Sequence, residues 1–161
     1  MLKGNTVNGA WIALGLALAI ELAGRITGRT GSRARTECPP PTQDVRLNTR
    51  NRDSAIRAPE IRYGPLNIDY PGGYWKELAT HWRTSVEAVK HSLCGDCAAF
   101  DVSPSMDACM PGPLSDDDGR LGYCHMHHFK CHSARTCRTW VRGGPIREDA
   151  VSLEWQRRSE G

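Results

Sequence analysis

"LCGDCAAFDVSPSMDACMPG", residues 93–112, carries three cysteines in one short run: a Cys-x-x-Cys knuckle at Cys94 and Cys97, then Cys109. Working outward, Cys124, Cys131 and Cys137 follow after spacers of 14, 6 and 5 residues, so six of the seven cysteines fall between Cys94 and Cys137. All six histidines lie between His81 and His132, and seven of the eleven aromatic residues lie between Tyr74 and Trp140. The groups that could build a core or bind a ligand are therefore concentrated in one region. We assign residues 66–146 as a cysteine-rich domain, with residues 147–161 as a C-terminal tail.

At 161 residues the chain is long enough for one ordinary domain with tails and too short for two large cores. Only 39% of it is apolar, and 16 glycines and 10 prolines make it rich in loops. A core that small needs a staple. The net charge of +3 is mild and both signs are spread along the chain, which does not mark a nucleic-acid binder.

Residues 1–24 are different in kind. "WIALGLALAIELAG", residues 11–24, is strongly apolar, and reading back to Val7 gives about 18 residues, barely the span of a hydrocarbon core, with Glu21 inside it. Three readings stand: a signal peptide ending near Ala17-Leu-Ala19, a membrane anchor through residues 7–24, or an apolar helix buried in an assembly. Burial in an assembly is the expected one, and no cleaved leader is expected. Residues 25–65 read as a basic, proline-containing extended arm. From Arg25 to Glu60 there are eight arginines against four acids, and Pro39-Pro40-Pro41 stiffens the middle. Such a segment gains order only against a partner, and Cys38 in it is an odd cysteine.

Within the domain, Tyr74 or Trp75, Leu78, Ala79 and Trp82 recur at helical spacing after a Pro-Gly-Gly turn. "TSVE" has the form of a capping box with Thr84 as cap and Glu87 three residues on, so a second helix is expected over about 85–92. Its apolar side, Val86, Val89 and Leu93, is expected to face whatever the knuckle binds. "HSARTCRTWVRGGP" offers a short helix ending at Gly143-Gly144-Pro145, and "SLEWQRRSEG" a final turn of helix. The triplet Asp116, Asp117, Asp118 lacks the alternating ligands of a calcium loop and reads as a solvated turn. No strand-like alternation persists for more than a few residues. The expected fold is a small irregular α+β or mainly loop domain with short helices, stapled by cysteines or metal, preceded by an apolar helix and an extended arm.

Three chemistries compete for the cysteines. Six thiols permit three disulfides in any of about fifteen pairings, but Cys94 and Cys97 are too close for an ordinary structural bridge. Zinc takes four ligands, commonly from two knuckles, and only one knuckle is present. The second pair would come from Cys109, Cys124 or the run "CHMHH" with His125, His127 and His128. A cubane iron-sulfur cluster spreads its four thiolates around a larger object, so long uneven spacers suit it. Phe100, Tyr123, Phe129 and the tryptophans would supply a dry shell. Spacing alone leaves cluster and zinc level.

"CGDCAAF", "ACMPG" and "LGYC", in that order, resemble the ligand pattern of high-potential iron-sulfur proteins over about 31 residues. That resemblance implies a [4Fe-4S] cluster on Cys94, Cys97, Cys109 and Cys124, with Tyr123 and Phe100 against it. Cys131 and Cys137 have no counterpart there and stand as substitute ligands or a local disulfide. More broadly, "YWKELATHWRTSVEAVKHSLCGDCAAFD" and "GYCHMHHFKCHSARTCRTWVRGGPI", within residues 70–146, are similar to small cysteine-rich proteins of marine tailed bacteriophages, described as iron-sulfur proteins of the high-potential kind. That likeness implies a virion structural protein, of capsid or tail, present in several copies among other virion proteins and assembled in the host cytoplasm.

No phosphate loop, nucleophile elbow or paired histidine and carboxylate at a recognisable spacing stands out, so the chain is read as a non-enzyme without a small-molecule substrate. With all four thiolates supplied by the protein, no iron site is left open and the cluster acts as a structural staple. Two alternatives remain: a membrane-tethered electron carrier, and a zinc module whose arginine-rich arm meets nucleic-acid phosphates. The second is not expected on charge.

Overall fold

The structure is a computed structural model that describes residues 38–159. The apolar helix or anchor expected over 1–24 and the first part of the arm lie outside the described residues.

Two strands that the sequence shows only as "GRLGYC" and "FKCH" form the spine. β3 (Gly119–Cys124) and β4 (Phe129–His132) pair antiparallel, with Gly122 opposite Cys131 and Cys124 opposite Phe129. β1 (Phe100–Asp101) and β2 (Ser115–Asp116) pair antiparallel with opposite ends of β3. The result is a four-stranded antiparallel sheet in a small α+β fold. The acidic triplet makes the tight turn between β2 and β3: Asp116 Oδ1 accepts the amides of Asp118 and Gly119, and all three carboxylates are exposed.

Side chains alternate between the faces of a strand. Cys124, Cys131, Phe129 and Phe100 therefore share one face and one buried cluster, with Ala99, Val102, Tyr63 and three further cysteines. Tyr123 points the other way, into a separate cluster with Met106, Met110 and Cys109. Gly122 makes the first face possible, because its missing side chain leaves room for the Phe100 ring.

The described residues hold six α-helices beside the sheet: α1 (Pro40–Gln43), α2 (Val45–Arg57), α3 (Tyr74–Trp82), α4 (Val86–Lys90), α5 (Pro104–Cys109) and α6 (Asp149–Ser159). α3 follows the predicted spacing and packs Leu78 and Ala79 on Val89 of α4 as a satellite core. Here two expectations fail. Ser85, one residue beyond Thr84, is the cap and accepts the Ala88 amide, and Val89 packs against α3 instead of the thiols.

The extended arm is also corrected, from Cys38 onward. Asp44 caps α2 by accepting the amides of Arg46 and Leu47, worth about 1 kcal/mol. The helix then lies along the open edge of β4. The Lys130 amide donates to Asn48 Oδ1 at 2.7 Å, Asn51 Nδ2 donates to the His128 carbonyl at 2.6 Å, and the His132 amide donates to the Tyr63 hydroxyl at 3.0 Å. Lys130 and His132 are alternate positions of β4 whose amides would otherwise leave a bare sheet edge, and the His128 carbonyl extends that edge into the turn. The partner that orders this segment is the same chain. Its hold on the β4 edge is polar and its apolar hold is limited to a few residues such as Pro41, Ala55 and Ile56, which is why apolar patterning gave little sign of it.

No helix forms over 132–145 either. Its backbone is engaged elsewhere: Cys94 and Gly95 donate to the carbonyls of Arg135 and Ser133, and Thr136 exchanges both hydrogen bonds with Gly64. At the far end, the tail forms three turns of helix where one was expected.

A Cβ on Gly122 would sit 2.5 and 2.6 Å from Phe100 ring carbons and 2.8 Å from the Asp101 carbonyl. Gly122→Ala is expected to lower the denaturation midpoint by the equivalent of about 1–3 kcal/mol. Gly73→Ala, which would meet only the Glu77 carboxylate at 3.7 Å, is expected to stay within about 0.5 kcal/mol.

Candidate metal centre

Leu93 is extended and Cys94–Asp96 makes one 3-10 turn, closed by the Cys97 amide on the Cys94 carbonyl at 2.9 Å. The turn sends both knuckle sulfurs inward. Its back is pressed by the 143–144 segment, whose amides donate to the Asp96 carbonyl. The fit is close: a Cβ on Gly144 would lie 1.8 Å from the Cys97 oxygen. Opposite the knuckle, β3 and β4 bring Cys124 and Cys131, and the following loop brings Cys137. All five cysteines are free, buried and members of one cluster.

The thiols act on one another, and Cys131 is influenced by both Cys124 and Cys94. Burial pushes the Cys131 thiol well above the ordinary range, and its interaction with Cys124 pushes it further. The same interaction is the main reason that Cys124 is lowered, opposing the effect of burial. Burial raises Cys97, and raises Cys137 to about 12.

Backbone donors single out three of the five. The amides of Met126 and His127 point at Cys124, those of Ala99 and Val141 at Cys97, and that of Thr139 at Cys137, whose sulfur also lies 3.2 Å from the Thr139 hydroxyl. Each sulfur thus receives an N–H from two residues further on, the arrangement that favours a thiolate over a thiol. Cys131, on a regular strand, receives no such amide and acts as a donor.

Of the residues expected at the site, Cys94, Cys97, Cys124 and Phe100 come together, joined by the substitutes Cys131 and Cys137. Cys109 does not. It is bonded to Cys38 on the other face of β3, with an S–S distance of 2.03 Å, so the expected ligand set is corrected there. Tyr123 goes with Cys109, because adjacent residues of a strand face opposite ways. That alternation in "GYC" was the available signal. For Cys38 there was only the odd count of seven.

The histidines have other partners. His125 Nε2 lies 2.7 Å from Asp101 Oδ2 with both side chains almost fully buried, and its ring stacks on Trp155 at 5.9 Å. His127 Nε2 meets the Thr139 hydroxyl at 2.6 Å, and His128 Nδ1 faces the Tyr123 hydroxyl at 3.4 Å. Among the described residues, no three His, Cys, Asp or Glu side chains converge in a way that could hold a single metal ion. The five thiols share one buried cluster instead.

No family model matches the chain, and neither does any curated protein or solved structure. None of the described helices is long and apolar enough to cross a membrane.

Burial alone would raise the Asp101 carboxyl, but hydrogen bonds from His125, Ser152 and Ser103 outweigh it and hold the group below the usual carboxylate range. The stabilisation is therefore complete above the unfolded value near about 4 and is lost as pH falls through the folded value. Asp101→Asn is expected to cost about 1–3 kcal/mol at neutral pH. It should also flatten the acid limb of the stability profile, measured by urea unfolding between about pH 3 and 7.

Proposed function

We propose that this chain is a structural protein of a tailed-phage particle whose cysteine-rich domain is stapled by a [4Fe-4S] cluster. One observation carries the cluster: five free thiols, from the knuckle, the β3–β4 hairpin and the loop after it, lie in one buried, aromatic-lined core, and amide donors favour the thiolate at three of them. Metal binding needs thiolates, and at Cys97 and Cys137, which burial raises, a strong positive centre would draw off the protons. Cys94, Cys97, Cys124 and Cys137 would hold the group. Cys97, Cys124 and Cys137 have the amide donors, and Cys94 completes the knuckle. Cys131 is the sulfur left over.

When bound, such a group supplies a covalent cross-link between the knuckle, the hairpin and the loop that carries Cys137. Phe100, Phe129 and Trp140 keep water from it, and the Gly143-Gly144 backbone holds the knuckle in place. With four protein thiolates the iron sites are closed, which fits a staple better than a catalyst. The virion assignment is supported by the likeness of residues 70–146 to phage proteins, and it implies capsid or tail proteins as partners.

Protein prepared without oxygen is expected to contain about four irons and about four sulfides per chain. Cys137→Ser should lose most of the iron, whereas Cys131→Ser should keep it. One zinc and no sulfide would replace the cluster with a zinc site, and iron loss on Cys131→Ser alone would replace Cys137 with Cys131. Reversible reduction without unfolding would favour an electron carrier over a staple. Mass spectrometry of purified particles tests the virion role, which fails if the chain is absent from them.

A further inference from the structure

The described residues hold sulfur in two opposite oxidation states. Five thiols are free on one face of the sheet, while Cys38 and Cys109 are joined on the other. A reducing compartment that preserves the first set does not favour the second, and an oxidising one that makes the second endangers the first until metal protects it. The two states are compatible if they arise in order. We propose that the Cys38–Cys109 bond is a late latch: it closes after the thiolate centre is loaded, when the protein meets a small-molecule disulfide, and locks the 38–57 segment onto the edge of β4. The order of events rests on the metal reading above. The latch itself does not.

Four features support it. Cys38 is only partly buried while Cys109 is deep, so the two sulfurs differ in access. The bond ties residues 71 apart, so it fastens the first described residue of the segment to the far side of the domain. The apolar hold of the segment is small: Pro41 and Ala55 are buried and Ile56 packs against the core cluster. Its other attachments are polar, through Asn48, Asn51 and the Gln43 side chain, which donates to the Cys109 carbonyl. Finally, Tyr123 and the strand backbone separate the pair from the five thiols, so closing the latch leaves them undisturbed.

The chemistry balances as two exchanges. The accessible Cys38 thiolate attacks the small disulfide, forming a mixed disulfide and releasing one small thiolate. The Cys109 thiolate then attacks the Cys38 sulfur and expels the second. Two protein thiols are oxidised, one small disulfide is reduced, and the two protons lost by Cys38 and Cys109 end on the two released small thiols.

The test uses the full chain, prepared in excess reduced glutathione and then treated with oxidised glutathione. Alkylation after denaturation and acid stripping, both carried out after the glutathione step and counted by intact mass, should give seven modified cysteines without oxidised glutathione and five with it. Hydrogen exchange at the amides of residues 45–57, Lys130 and His132 should slow at least tenfold on oxidation, with Phe100, Tyr123 and Cys124 unchanged. Cys38→Ser should keep the fast exchange under both conditions. Equal exchange in the two states, or a bond already closed in reduced glutathione, would overturn the latch. Metal content, assayed separately, tells the two readings apart: a metal-free chain that still switches sinks the cluster and leaves the latch standing.

Discussion

Tyr123 and Cys124 are neighbours in a strand and so point to opposite faces of the sheet, and that constraint divides the sulfur of this protein into two chemistries. Cys124 turns toward Cys131, the knuckle and Cys137; Tyr123 turns toward Cys109 and its bond to Cys38. Had the register slipped by one residue, every side chain of β3 would have changed face. The register is held from both sides. Phe100 can lie against β3 only where Gly122 stands, and Cys131 lies opposite that same glycine.

The second constraint is the edge of β4. A short sheet with an open edge invites pairing with another chain, and here the answer is a helix whose asparagines reach the outward-facing backbone groups. Asn48 and Asn51 are three residues apart, one helical turn, so both lie on the side facing the strand. Tyr63 continues the pattern from the chain beyond α2. A helix so poor in apolar side chains would be marginal alone. It is ordered here because it completes hydrogen bonds that the sheet leaves open.

How much of this was legible depends on the kind of force involved. α3 was readable because its apolar residues recur at helical spacing, and the knuckle because two cysteines three apart turn one way. The packed segment from Cys38 was not, since polar side chains meeting backbone groups leave no periodic trace. The loop around Cys137 misled for a related reason. "SARTCRTW" has acceptable helix formers, but its amides and carbonyls pair with Gly64 and the knuckle, a tertiary competition that local propensity cannot register. Choosing Cys109 as a ligand followed from a resemblance over a short run, whereas strand alternation in "GYC", weighed alone, would have placed Tyr123 away from the thiols.

The satellite core adds a dependence that the thiols alone do not display. The Tyr74 hydroxyl donates to the Arg62 and Thr136 carbonyls, Trp82 Nε1 to the Arg138 carbonyl, and the Trp82 ring lies 6.2 Å from that of Trp140. The contacts to Thr136, Arg138 and Trp140 all fall within three residues of Cys137. The α3–α4 pair therefore docks onto a stretch of irregular backbone whose position is set by one buried sulfur, the Thr136 pairing with Gly64 and the Trp140 indole on the Leu93 carbonyl. Whatever fixes Cys137 to the hairpin also fixes the platform on which those helices sit. A cross-link at that sulfur would couple the thiol core to a hydrophobic cluster that it does not itself touch.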